Sequence, residues 1–160
     1  MHLEGQFSIK AARDEVYAFL TDPYSVSRHM PDVKDVEIED ADRFTVKARV
    51  GISNIKGLMV MKLAISDRQP PISTTVTGRG AGLASVVDMV TNFTLEISEN
   101  GETVVNWRGE VHVAGKLAAF GPQGLLDRMA RKNINTFIEG LKSGIEELTL
   151  VADADDDRTA

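Results

Sequence analysis

The chain contains no cysteine, so disulfide frameworks, thiolate zinc sites, iron–sulfur clusters and cysteine nucleophiles are excluded together. Histidine is scarce. His2, His29 and His112 are the three present, at no metal-ligand spacing, and two of them fall on strand faces expected to meet water. No apolar run approaches the roughly 18 residues that a membrane-crossing helix needs. Positive charge is in deficit, 18 basic against 24 acidic residues for a net −6 and a pI near 5.1. Nucleic acid is therefore not an expected partner, because its binders need a phosphate-neutralising basic surface. The opening Met1-His2-Leu3-Glu4 lacks both the basic start and the continuous apolar segment of a signal peptide, which points to the cytoplasm.

What is there suits one soluble domain: 160 residues, 42% of them hydrophobic, enough to build a single core. Residues 1–150 are expected to form that domain and 151–160 a disordered acidic tail. Half the net charge of −6 lies in this tail, as Asp153, Asp155, Asp156 and Asp157 against Arg158. Three of these aspartates stand at the first ligand spacings of a calcium loop. The glycine at its sixth position and the glutamate at its twelfth are missing, so no metal is expected.

Residues 2–10 alternate, with Leu3, Gly5, Phe7 and Ile9 on one face, which predicts a half-buried strand. From Ala12 the period turns helical through Val16, Phe19 and Leu20 and closes at Asp22-Pro23. A second short helix is predicted from Tyr24 to Met30. Strand patterns follow at 33–39, 43–51, 55–67, 72–78, 86–98 and 102–113, joined by turn signals too short for crossover helices, so the strands should form an antiparallel meander. One face is apolar throughout: Phe44, Val46, Ala48 and Val50; Met59, Met61, Leu63 and Ile65; Met89, Phe93, Leu95 and Ile97; Val105, Trp107, Val111 and Val113. A turn at 116–120 precedes a long helix, predicted to open at Pro122 and run to about Leu148. Its apolar stripe is Leu126, Met129, Ala130, Ile134, Phe137, Leu141, Ile145 and Leu148.

A curved antiparallel sheet of about six or seven strands, wrapped on a long C-terminal helix, is an α+β arrangement. The element order is that of the helix-grip (START-like) fold. Within that superfamily the chain resembles the carbon monoxide dehydrogenase G-subunit family. The resemblance rests on Phe19-Leu20-Thr21-Asp22-Pro23, Met30-Pro31, Gly51 with Ile55-Lys56-Gly57, Val113-Ala114-Gly115-Lys116-Leu117-Ala118, Leu125-Leu126-Asp127 and Ala130-Arg131-Lys132. It implies a small cytoplasmic accessory protein of molybdenum hydroxylases and related redox enzymes, with an apolar cavity for a lipid-like molecule such as a quinone. Two departures stand out. Asp32 occupies a place where the family usually carries glycine, and the C-terminus is acidic with no apolar anchor, which limits any membrane contact to a peripheral one.

The candidate site residues follow from this layout. Met59, Met61, Met89 and Met129 fall on inward faces, where flexible thioether chains either line an adaptable pocket or fill core gaps. Met30, Phe44, Trp107 and Phe137 are expected to join them. Thr91 and Asn133 are the inward polar groups able to fix a head group, and His29 ends the second helix near the expected cavity mouth. Gly140 and Gly144 lie on the inner flank of the long helix, where they either let it approach the sheet or leave a hole beneath it. Gly78, Gly80 and Gly82 have the wrong spacing for a dinucleotide loop and read as a hairpin connection or bulge. Arg128, Arg131 and Lys132 read as a solvated basic helix face.

Three readings remain open at this stage. The first is a non-enzymatic protein binding a small apolar, quinone- or lipid-like ligand in service of a molybdenum hydroxylase, with no other cofactor. The second is an assembly or docking factor with a filled core. The third is an enzyme like the superfamily's cyclases and hydrolases, which would need titratable groups converging inside; only His29 and Tyr17 fall near a mouth.

Overall fold

The computed structural model describes residues 1–122 and 124–159, the side chains of 149–159 excepted. The elements are β1 (His2–Ile9), α1 (Arg13–Leu20), α2 (Pro23–Ser27), β2 (Val33–Ile38), β3 (Arg43–Ile52), β4 (Ile55–Gln69), β5 (Ser73–Gly82), β6 (Ser85–Ile97) and β7 (Thr103–Gly115), then a 3-10 turn (Lys116–Phe120) and α3 (Leu125–Thr159). The seven strands form one antiparallel sheet in the order β1-β7-β6-β5-β4-β3-β2. Helix α3 packs closely on β1 and also on β3, strands far apart in that order, so the sheet curls around the helix. This is the helix-grip arrangement read from the sequence.

Several boundaries differ from the sequence pattern. Helix α2 ends at Ser27 rather than Met30, because the next turn tightens: His29 N–H bonds to Val26 O at 3.1 Å, Met30 N–H to Ser27 O at 3.4 Å, and Pro31 then blocks continuation. Asp32 has φ 58°, a left-handed conformation suited to glycine and tolerated by aspartate. Helix α3 opens at Leu125 after Gly124 (φ 73°) rather than at Pro122, and its span to Thr159 takes in the acidic stretch from residue 151.

Gly78 and Gly80 are not a hairpin connection. They lie inside β5, and the connection is Leu83-Ala84, both at positive φ (55° and 53°). The sheet needs these glycines because neighbouring side chains lie across them. A Cβ at Gly78 would stand 2.8 Å from Leu63 Cδ2, and one at Gly80 2.9 Å from Met59 Sδ.

The buried residues form three separate clusters. One joins Ile9, Val16, Tyr17, Leu20, Leu95, Val105, Leu141 and Ile145, where α1 and the later turns of α3 press on β1, β6 and β7. The second gathers Phe44, Val46, Leu63 and Ile65 under Val26 and Met30. The third joins Ile52, Met59, Leu117 and Leu126, with Met61 and Met129 packed against it. None of the three includes Thr91, Trp107 or Val111.

Candidate functional site

The middle of the concave face is built by strand register. Gly5 lies opposite Trp107, Trp107 opposite Phe93, Gly109 opposite Thr91, and Val111 opposite Met89. Since alternate residues share a face, these side chains form one floor. Trp107, Thr91, Val111, Met89 and Phe93 on it are all only half-buried. The indole lies across Gly5, where a Cβ would stand 2.8 Å from Trp107 Cζ2. Glycine in an alternating strand marks such a close approach, and that signal was readable in the sequence at Gly5 and Gly109, though neither was among the expected site residues.

Two donors on this floor lack partners. Trp107 Nε1 is shielded from solvent and makes no hydrogen bond. The Thr91 hydroxyl, 3.5 Å from the place a Cβ would take on Gly109, has no hydrogen-bond partner among the described residues either. An unsatisfied buried donor such as Trp107 Nε1 costs about 1–3 kcal/mol; the Thr91 hydroxyl, on a residue only half-buried, is the donor that an acceptor atom brought to the floor would meet.

The other expected residues divide between the floor's surroundings and places away from it. Met30, Phe44 and Met89 come together in the second cluster, and Met59, Met61 and Met129 in the third. Phe44 and Met59 are sealed, at 2% and 3% exposure, and so stand as supporting wall. Phe137 packs half-buried against the first cluster. Asn133 is exposed on α3. Tyr17 is no mouth residue. It is 5% exposed, and its hydroxyl donates to Ser73 O at 2.9 Å.

His29 lies against α3. Its ring fills the notch at Gly140 and Gly144 and meets Phe19, ring centroids 5.4 Å apart. Desolvation first, and then the Arg28 charge, hold its pKa below the ordinary histidine value. The glycines of α3 therefore make room for a histidine, rather than for the sheet or a hole. On the convex face the exposed His2 ring bonds Glu110 and, at 3.1 Å, Glu4. These two bonds, Glu110 first, raise its pKa.

Two open surface dips, of about 460 and 350 Å³, are also present: one bordered by Lys62, Arg79, Asp88 and His112 and reaching the floor residue Met89, the other by Asn54, Lys56, Leu83 and Lys116. Neither is lined by Thr91, Trp107 or α3. Among the described residues, no group of three or more His, Asp and Glu side chains is placed to hold a metal. No helix among them is long and apolar enough to cross a membrane.

The family model of the carbon monoxide dehydrogenase G subunit (CoxG) matches residues 5–146. The chain belongs to the CoxG family. No curated protein matches it. Among solved structures, a conserved protein from Geobacillus kaustophilus superposes with a TM-score of 0.83 at 24% identity, over 92% of this chain and 96% of that one. A START superfamily protein from Mycobacterium smegmatis gives a TM-score of 0.69 at 11% identity, over 92% and 98%, and a protein from Chromobacterium violaceum 0.67 at 16%, over 91% and 97%. At these identities the likeness shows the fold. CoxG membership and the START-like fold together suggest a non-enzymatic binding or accessory role.

Proposed function

We propose that this CoxG-family chain is a non-enzymatic, cytoplasmic binding protein. It holds a small apolar, quinone- or lipid-like ligand between the concave sheet face and α3, in service of a carbon monoxide dehydrogenase-like molybdenum enzyme. The observation that carries this reading is the divided core. A helix that bridges β1 and β3 leaves Thr91, Trp107 and Val111 half-buried and outside every packed cluster. An apolar guest would remove that surface from water, at about 25 cal/mol per Å². The unpartnered Thr91 hydroxyl favours a guest whose polar end accepts a hydrogen bond, such as a quinone carbonyl. The partner enzyme is inferred from the family's name, which is that of a carbon monoxide dehydrogenase component.

Mass spectrometry of an apolar extract of the purified protein tests the reading. Co-purifying quinone or lipid is the expected result, together with a saturable change in Trp107 fluorescence on titration with a short-chain menaquinone. An empty extract and no saturable response to menaquinone or fatty acid would favour the docking-factor reading, which the sealed Phe44 and Met59 support.

A further inference from the structure

We infer that His29 is the closing contact of the ligand space, a latch by which the segment between α2 and β2 is held on α3 and which sets how fast a guest enters and leaves. This rests on the binding reading above. Gly140 and Gly144 are four residues apart and so lie one above the other on the same helix face, where they open a notch. The notch is filled from outside the helix by the His29 side chain, with Phe19 at its edge. A Cβ at Gly144 would stand 2.6 Å from His29 Nε2, 2.7 Å from Cε1 and 3.3 Å from Phe19 Cζ, and one at Gly140 would stand 3.4 Å from His29 Cβ. Each glycine lowers helix propensity by about 1 kcal/mol relative to alanine, so the notch is unfavourable for the helix alone. The imidazole stacks on Phe19 at a 32° tilt and makes no side-chain hydrogen bond among the described residues. Shape alone holds it.

The segment that carries His29 is built to move as a short unit. Helix α2 has five residues beginning at Pro23; beyond it come Pro31 and then Asp32, held at φ 58°. Tyr24 at its outer side is 57% exposed. The segment rests on α1, β2 and β3, and Val26 and Met30 pack on the second cluster beside Met89, a residue of the concave floor. Lifting His29 from the notch frees this flap on the α3 side, next to that floor. A contact made by packing without hydrogen bonds is suited to opening and closing on the microsecond-to-millisecond scale of lids and loops.

Two measurements on wild type, His29→Ala and Gly144→Ala decide the matter. The first is amide hydrogen exchange of the protein without added ligand. Both substitutions should speed exchange in residues 24–33 by about tenfold, the first by removing the ring and the second by ejecting it, while β6 and β7 keep wild-type protection. The second is stopped-flow Trp107 fluorescence with short-chain menaquinone. Association and dissociation should both accelerate about fivefold or more, with Kd changed by less than about threefold, as for a gate that alters the barrier and not the end states. In His29→Ala the further change Gly144→Ala should add nothing to the rates. Unaltered exchange in residues 24–33 in both single variants would overturn the latch, whether or not wild type binds the probe. Faster local exchange with unchanged probe kinetics would also overturn it as a gate. A wild type that shows the expected exchange pattern but binds no probe would instead sink the binding reading, and the gating role with it.

Discussion

Val105 and Val111 are the same residue type on the same strand and the same face, yet Val105 is 0% exposed and Val111 is half-buried. The difference lies in what covers them. Over Val105 stand α1 and the later turns of α3, which contribute Val16, Leu20, Leu141 and Ile145 to one sealed cluster. Val111 belongs to no cluster of buried residues. The first region holds the fold together, and the second offers apolar surface that the fold itself does not use. On the proposed binding reading, the guest would occupy the part of the sheet that the helix spans without filling.

The largest expected effects break that comparison at the sealed end. Leu141 is 0% exposed, and Leu141→Ala should cost about 2–5 kcal/mol of unfolding free energy in urea titration. Val111→Ala should cost about 1 kcal/mol or less, because a half-buried side chain loses less on truncation. Equal losses at the two positions would mean that the middle of the sheet is packed as tightly as its end. Next in size is stabilisation by a guest. Short-chain menaquinone at a hundred times its Kd should add about 2.7 kcal/mol to wild type. Thr91→Val, which removes a hydroxyl with no protein partner, should leave stability nearly unchanged and weaken probe binding by about five- to tenfold.

The fold was readable because its signals repeat. Two-residue alternation from Leu3 to Ile9 and the helical period from Leu126 to Ile145 each specify a face, and two facing apolar surfaces must meet. The site was less readable. Strand alternation and the helical period mark Met59 and Met129 as inward, but whether an inward residue seals or lines depends on the path of α3 over the sheet, which no local pattern encodes. Asn133 shows the limit from the other side: it flanks the apolar stripe, yet is exposed. Gly78 and Gly80 looked like turn residues because glycine's local meaning is permissive backbone. Their role is set by Leu63, Met89, Met59 and Met61 lying over them, side chains of the paired strands β4 and β6 rather than of the residues beside each glycine. Likewise nothing near Gly144 in the chain announces His29.

The His29 notch gives a smaller effect with a sign that can be reversed. In wild type, Gly144→Ala places a methyl 2.6 Å from His29 Nε2, and the resulting displacement should cost about 1–3 kcal/mol, outweighing the gain of up to about 1 kcal/mol in helix propensity. In a His29→Ala background the clash is gone, and the same substitution should stabilise by up to about 1 kcal/mol. A denaturant double-mutant cycle reads the coupling directly. Stabilisation in both backgrounds would show that the ring gives way freely and holds nothing in place.

The two histidines with opposite surroundings should produce the smallest effect, seen in pH dependence. Folding lowers the pKa of His29, by burial and the nearby Arg28 charge, so the unfolded chain binds the proton more tightly. Its contribution to stability is complete above the unfolded value, near 6.5, and is lost as pH falls below it toward the folded value. Folding raises the pKa of His2, through its bonds to Glu110 and Glu4. That contribution is complete below 6.5 and is lost as pH rises through the folded value. In wild type the two slopes oppose each other across the range from about pH 5 to 8 in which histidine titrates. Substituting one histidine at a time separates them. His2→Gln should leave a protein that loses more stability on acidification than wild type does, whereas His29→Gln should leave one that loses more on alkalinisation. Unfolding free energies of the three proteins, measured at matched ionic strength because exposed ion pairs are screened by salt, give the slopes. If His29→Gln left the pH profile of wild type unchanged, the imidazole would be equally solvated in the folded and unfolded chain, and the ring could not be seated in its notch.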